Sequence, residues 1–518
     1  MKISISGINV LRNEYEFIEG ILTLIETTLR IDPRPFGTIS PRLYGQFAEH
    51  LGRCCYDGLW IGTNDQRDIP QQGGFRMDVL HALRQMPVPL LRWPGGCYAD
   101  HYHWRDGIGP AEQRPRRLGM SCGITVEDDN GLGTHEFINL CRMLGAEPYL
   151  AGNVGTGTPQ ELSDWLEYCN AERTTTLTRE RAANGSHEAF NVRLWGVGNE
   201  NWGCGGNFDS VSYAQEFRRY ATMLRHVDAT AELVVCGHND QWNLEIMQTL
   251  RPHAGLIDHF SIHSYWIQGG AELTFSEADY YSLLAEAHRT EAFVRRTAEM
   301  VAFSSEGKKP IGIALDEWGV WHPEGRPWGP GDVPRRPLAD NYEQAGTLRD
   351  ALAAAVALEG FHRQCNVLSM ANLAQIVNVI HAPVMTSGSH MWLTPTYFVF
   401  QLHRAHIGAE ALPVHVEQGI QLADGTSAVT ATASRGEKSV AVTLINQHFD
   451  QPAHVTLSLE GFKSAMGHLL TADSPRAMNS AEHPDQVSLI DWSAAQDAPG
   501  KWRLDLPAHS VGTVEFSA

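Results

Sequence analysis

The sequence predicts an α/β protein built as a (β/α)8 TIM barrel with an all-β, jelly-roll-like sandwich appended to it. Three observations carry that prediction. From about residue 42 to residue 381, short apolar runs alternate with amphipathic stretches; after about residue 408 the pattern changes to period-two alternation. Two of the apolar runs, Trp195-Gly196-Val197-Gly198-Asn199-Glu200 and Ile313-Ala314-Leu315-Asp316-Glu317-Trp318, stop at a glutamate. Repeated βα units wind a parallel sheet, and eight of them close a barrel whose functional end is the carboxyl end of its strands.

The eight strand candidates are residues 42–47, 89–92, 148–152, 192–199, 233–237, 259–265, 311–317 and 368–379. Helices are expected between them, at 134–144, 212–227, 285–303 and 345–363. Another opens at Thr158-Pro159-Gln160-Glu161, which reads as a capping box: Thr158 at the N-cap, Pro159 at the first helical position, and Glu161 reaching back to the cap amide. The barrel is assigned to residues 38–400. In the sandwich, assigned to 408–518, strands are expected at 439–446, 454–459 and 512–516, between turns rich in Gly, Asp and Pro. Residues 21–32 also alternate and precede the first barrel strand, so a segment spanning 20–34 is expected to join the sandwich from the other end of the chain.

At 518 residues the chain exceeds one ordinary core, which agrees with a large domain plus a smaller one. No stretch approaches the roughly 18 uninterrupted apolar residues of a membrane span. Forty basic against sixty acidic side chains leave a formal charge of -20, which repels nucleic acid and anionic lipid. A neutral sugar polymer fits that balance, as does acidity that serves only solubility. The nine cysteines (Cys54, Cys55, Cys97, Cys122, Cys141, Cys169, Cys204, Cys236, Cys365) are odd in number and scattered, so neither a disulfide framework nor a zinc site is expected. In the N-terminal thirty residues, Glu14, Glu16, Glu19 and Glu26 interrupt any apolar signal region, and a cytoplasmic location is expected.

Both signature glutamates fall at predicted strand ends. Two acids facing one another there can cut a glycosidic bond, one protonating the leaving oxygen while the other attacks or activates water. A helix cap or a surface charge would also explain a lone strand-end glutamate. The Gly-Asn-Glu-Asn-Trp-Gly context of Glu200 favours a site, because Asn199 suits sugar hydroxyls and Trp202 offers a stacking face. Glu317 follows apolar residues, so its carboxylate needs a partner, and Arg92 is the candidate; a nearby guanidinium keeps a nucleophilic carboxylate ionised. Arg92 opens Arg92-Trp93-Pro94-Gly95-Gly96-Cys97-Tyr98, whose Pro-Gly-Gly turn lets backbone approach a ligand closely. His101 and His103 lack a third metal ligand, and no metal or other cofactor is assigned.

Together these segments resemble the α-L-arabinofuranosidases of glycoside hydrolase family 51. The resemblance runs from Tyr44-Gly45-Gln46-Phe47-Ala48-Glu49-His50 to Leu373-Ala374-Gln375-Ile376-Val377-Asn378, and more weakly through the sandwich. It implies Glu200 as general acid/base and Glu317 as nucleophile of a retaining double displacement. It implies that Glu49 and Asn199 hold ring hydroxyls, that Arg92 orients Glu317, and that Tyr265 stands near the nucleophile. Gln375 would bind the exocyclic hydroxymethyl and Trp321 would lie close to the sugar. The implied substrates are terminal arabinofuranosyl units of arabinoxylan, arabinan or their oligosaccharides, and relatives commonly assemble as homo-oligomers.

Three departures stand out. Cys97 occupies a position where many relatives have asparagine, so a sugar contact there passes to backbone amides or to the thiol. Around Ser121-Cys122-Gly123-Ile124 several relatives carry a tryptophan on the aglycone side, absent here. Residues 323–336 form a longer loop than usual, expected to shape the cleft. Rival readings are another barrel glycosidase, such as a β-xylosidase or endo-glucanase, and a carbohydrate-binding protein without turnover.

Overall fold

The structure, a computed structural model, describes residues 24–307, 309–326, 328 and 342–518. Most of the expected 323–336 loop and residues 1–23, with their acidic N-terminal pattern, lie outside the described residues. Eight parallel strands close a barrel: β1 (Gly45–Phe47), β2 (Leu90–Trp93), β3 (Glu147–Gly152), β4 (Leu194–Val197), β5 (Glu232–Val235), β6 (His259–Trp266), β7 (Gly312–Val320) and β8 (Leu368–Ala374). Every expected barrel strand is present. Strands covered by helices outside and side chains inside are buried on both faces, which is why β2 and β4 have no exposed residue. Leu90, Tyr149, Leu194, Val234, Ala314 and Met370 point inward and form a separate apolar plug, so the barrel is filled rather than hollow.

Several boundaries differ from the sequence reading. β4 ends at Val197 and β8 at Ala374, because the chain turns out of the sheet at Gly198 and at Gln375. The helix expected at 285–303 runs from Glu277 to Ser304; Ser276 and Asp279 cap it reciprocally eight residues earlier than periodicity indicated. The helix at Pro159–Asn170 does start with Thr158 accepting from the Glu161 amide, but the Glu161 carboxylate does not return to the cap. It accepts instead from His103, 2.8 Å away, so a loop contact replaces the second half of the capping box.

The C-terminal strands form two packed sheets. In the five-stranded sheet Ile25–Ile31 lies between Val414–Gln418, antiparallel to it, and Ala453–Ser458, parallel to it. Its alternate residues Ile25, Leu29 and Ile31 enter the sandwich core beside Val455, Leu457 and Trp502. The seven-stranded sheet contains Val429–Arg435, Ser439–Asn446 and Ser510–Ser517, and packs on the barrel helix Leu348–Arg363. That helix is alanine-rich and buried along nearly its whole length. Near its end the buried His362 bridges the two domains, between Tyr44 at 2.6 Å and Thr432 at 2.9 Å. Among the described residues no helix is long and apolar enough to cross a membrane.

Candidate active site

The carboxyl ends of the barrel strands surround a cavity of about 380 Å3 lined by Glu49, Gly96, Cys97, Cys122, Glu200 and Glu317, with Trp202, Tyr265, Trp321 and Trp328 around them. β4 delivers its acid through a sharp turn. Gly198 has φ +83°, and Glu200 itself has φ +40°, a left-handed conformation uncommon for a residue with a Cβ. The turn sends the neighbouring side chains to one site: Asn199 accepts from Arg92 Nη2 at 2.7 Å, while the Glu200 carboxylate reaches the cavity.

β7 delivers two consecutive acids. A strand normally points adjacent side chains to opposite faces. Here the register against β6 shifts between Ser261↔Ala314 and His263↔Glu317, an irregularity that lets Asp316 and Glu317 both face the site. Asp316 lies deeper, accepting from Ser261 Oγ at 2.5 Å and Tyr149 OH at 2.8 Å. Burial alone would raise its pKa, but Arg92 and His263 hold it well below the usual carboxylate range. Glu317 accepts from Arg92 Nη1 at 2.8 Å on one oxygen and from Tyr265 OH at 2.7 Å on the other. Both its oxygens are therefore held in place.

His263, one of the residues quoted in the β6 motif but given no role by the sequence reading, stands between the acids. Its Nδ1 is 2.8 Å from Glu200 and 3.5 Å from Glu317, and its Nε2 is 3.3 Å from Asp316. Burial works against its charge, but the three carboxylates outweigh burial and push its pKa up to about 10. The period-two signal could have found it, since His263 shares a strand face with Tyr265. Single oxygens of Glu200 and Glu317 and a ring nitrogen of His263 all lie within 4.8 Å of one another.

On the opposite wall Glu49 accepts from the Tyr98 amide at 3.0 Å, Ser121 Oγ at 2.7 Å and Gln375 Nε2 at 2.9 Å. Burial, reinforced by the charge of Glu317, pushes its pKa up to about 7. Asn199 Nδ2 and Gln375 Oε1 are buried without a partner among the described residues. Gly96 is required here, because a Cβ at that position would lie 2.8 Å from Glu317 Oε1. Trp321 packs on Tyr265, with ring centroids 5.0 Å apart, and Trp202 stacks on His238 at 3.8 Å.

The cysteine expectations need correction. Cys97 and Cys204 form a disulfide, with Cα atoms 5.5 Å apart. They are 107 residues apart in sequence, and only closure of the barrel brings the loops after β2 and β4 together. The Cys97 sulfur is thus bonded to another sulfur, and the expected thiol contact to a sugar is ruled out in this state. Cys122 occupies the tip of a hairpin joining Arg117–Ser121 to Ile124–Asp128, where its φ of +47° and that of Gly123 at +86° make a tight two-residue turn. That hairpin brings Ser121 to Glu49 and Cys122 into the cavity.

Two carboxylates on β4 and β7 of a (β/α)8 barrel, one clamped by an arginine and a tyrosine, define a barrel glycoside hydrolase. Residues 82–282 match a family profile described as the alpha-L-arabinofuranosidase 1 domain, and residues 316–510 match the alpha-L-arabinofuranosidase C-terminal domain. The chain is 38% identical to an intracellular exo-alpha-L-arabinofuranosidase of Bacteroides ovatus over 92% of this chain and 93% of that one. A crystal structure of the GH51 arabinofuranosidase from Xanthomonas axonopodis pv. citri superposes with a TM-score of 0.87 at 34% identity, covering 95% of this chain and all of the other. The arabinose complex of the Thermotoga maritima α-L-arabinofuranosidase gives a TM-score of 0.83 at 30% identity, covering 95% and 100% of the two chains. The chain belongs to the α-L-arabinofuranosidases of glycoside hydrolase family 51.

Proposed function

We propose that this hydrolase releases terminal non-reducing α-L-arabinofuranosyl residues from arabinoxylan, arabinan or their oligosaccharides by a retaining double displacement. The observation that carries the mechanism is the approach of Glu200 and Glu317 oxygens within 4.8 Å. Retaining pairs stand roughly 5 to 5.5 Å apart, whereas inverting pairs leave roughly 6.5 to 9.5 Å for a water. Glu317 attacks the anomeric carbon while Glu200 protonates the glycosidic oxygen, and the leaving alcohol departs. Esterification removes the Glu317 charge, and Glu200 then takes a proton from the water that attacks the glycosyl-enzyme.

The donors and acceptors around the acids support the remaining roles. Arg92 and Tyr265 fix the two oxygens of Glu317, so the nucleophile enters the reaction already oriented. Glu49, Asn199 and Gln375 present the atoms for ring and exocyclic hydroxyls, with Asn199 Nδ2 and Gln375 Oε1 free of partners among the described residues. Trp321 walls the sugar. A cavity of about 380 Å3 falls in the range of small-ligand pockets and has room for a terminal sugar together with part of its aglycone.

Similarity to the intracellular exo-alpha-L-arabinofuranosidase of Bacteroides ovatus supports action inside the cell, on imported oligosaccharides rather than intact polymer. Assembly as a homo-oligomer follows from the family resemblance and is tested by light scattering. The chemistry is tested with nitrophenyl α-L-arabinofuranoside and β-D-xylopyranoside while proton NMR follows the first-formed anomer. Preference for the arabinofuranoside with a retained anomer is expected; an inverted product, or full activity in Glu317→Ala, would overturn the mechanism.

A further inference from the structure

Three sulfur atoms and one carboxylate converge at the cavity. Cys122 Sγ lies 3.8 Å from Cys97 Sγ, and Cys204 Sγ lies 3.9 Å from Glu200 Oε2. The ligating atoms of Cys97, Cys204 and Glu200 lie within 4.8 Å of one another. Glu200 meets His263 through Oε1, so it is Oε2 that faces the sulfur. A disulfide staple would account for Cys97 and Cys204. It gives no role to Cys122.

Tetrahedral coordination does. Two thiolates bound to one zinc ion at roughly 2.3 Å each are separated by about 3.8 Å, and a thiolate and a carboxylate oxygen by about 3.6 Å. The Cys122 to Cys97 spacing already has the first value, and the Cys204 to Glu200 spacing is close to the second. What the oxidised form lacks is separation of Cys97 from Cys204 and a closer approach of Cys122, which stands beside Cys97 but outside the 4.8 Å group of Cys97, Cys204 and Glu200; reduction frees the two loops for both changes. Glu317 lines the same cavity, and its carboxylate favours a cation there.

We propose that, once the Cys97–Cys204 bond is reduced, the thiolates of Cys97, Cys122 and Cys204 and the Glu200 carboxylate form a tetrahedral site for one thiophilic divalent cation, zinc or cadmium, which switches hydrolysis off by occupying Glu200. The switching half of the proposal rests on Glu200 being the acid/base; the binding half does not. A dithiol donates two electrons and two protons to the Cys97–Cys204 bond and itself closes to a cyclic disulfide. The cation then displaces three thiol protons, so uptake tightens as pH rises.

The test uses the full chain in two states, oxidised, and reduced with a phosphine that is then removed without oxygen. Zinc is titrated into each against a chromogenic chelator, and cadmium is followed by its ultraviolet thiolate charge-transfer band. The reduced protein is expected to bind one equivalent more than the oxidised protein, with activity falling in step and returning on chelation. Cys122→Ser and Cys204→Ser are each expected to weaken uptake by roughly tenfold or more and to diminish the cadmium band. Equal uptake in the two redox states overturns the site, as does a cadmium band that survives both substitutions. Glu200→Gln separates the two readings: full hydrolysis in that variant sinks the acid/base role, whereas its metal uptake still reports on the sulfur site.

Discussion

Nδ1 of His263 lies 2.8 Å from Oε1 of Glu200, which makes a partly buried imidazolium the immediate neighbour of the proposed acid/base. The same ring reaches Asp316 through its other nitrogen, so a cation is shared among carboxylates that would otherwise repel one another. Charge at this site is balanced by a residue that need not touch the sugar.

The pH dependence of stability tests that balance. The His263 pKa is raised from 6.5 to about 10 in the folded protein, so between those values the folded chain holds a proton that the unfolded chain has released. Its contribution to stability is complete below pH 6.5 and is lost as pH rises through about 10. Thermal unfolding across that range should show a falling midpoint. His263→Gln should flatten the fall and lower kcat by roughly 100-fold; an unchanged slope would remove the imidazolium from the account.

Arg92 neutralises the acids of β7 from the other side. Replacing it with Met leaves Asp316 and Glu317 buried beside each other without the guanidinium, a loss expected to destabilise the fold by about 3–5 kcal/mol. Denaturant unfolding measures it. Arg92→Lys should recover part of the stability but little activity, because an ammonium cannot hold Glu317 and Asn199 with a planar fork.

Gly96→Ala isolates close approach from folding. The added methyl would stand 2.8 Å from Glu317 Oε1 and 3.3 Å from both Glu49 oxygens, displacing the proposed nucleophile without touching the apolar core. We expect kcat/KM to fall by roughly 100-fold, with an unfolding midpoint close to that of the parent protein. Unimpaired kinetics would show that the carboxylate moves aside freely.

Glu49 titrates in the opposite direction from an ordinary paired acid. Its pKa rises from 4.5 to about 7, so the folded state holds the extra proton in that window and stability declines as pH increases through it. Glu49→Gln should reduce that slope. It should not abolish it, because burial also raises Asp100 to about 7. Unfolding free energies between pH 4.5 and 8 provide the check.

Much of this protein was legible before folding was considered. Parallel barrel strands are buried on both faces and read as apolar runs, so β4 and β7 announced themselves, and the change to period-two alternation announced the sandwich. The stretch that holds Ile25–Ile31 alternated clearly enough to be expected in the sandwich nearly four hundred residues away, although which strands it pairs with was not legible. Ends were less legible: Gly198 turns the chain out of β4 two residues before the acid, and local periodicity does not register that turn.

What the sequence indicated by itself was which residues to expect at the site: the glutamates at the ends of two apolar runs, the Arg92 turn and, through the family resemblance, the motifs around Tyr265 and Gln375. Tertiary structure alone decided how they meet. The register shift between β6 and β7 brings Asp316 and Glu317 to one site, although adjacent strand residues ordinarily diverge. Barrel closure joins Cys97 to Cys204 and sets Cys122 beside them. Local pattern reflects the forces acting on each segment as it forms, whereas register and loop contact arise from segments far apart in the chain. Such contacts leave no period for a sequence to display.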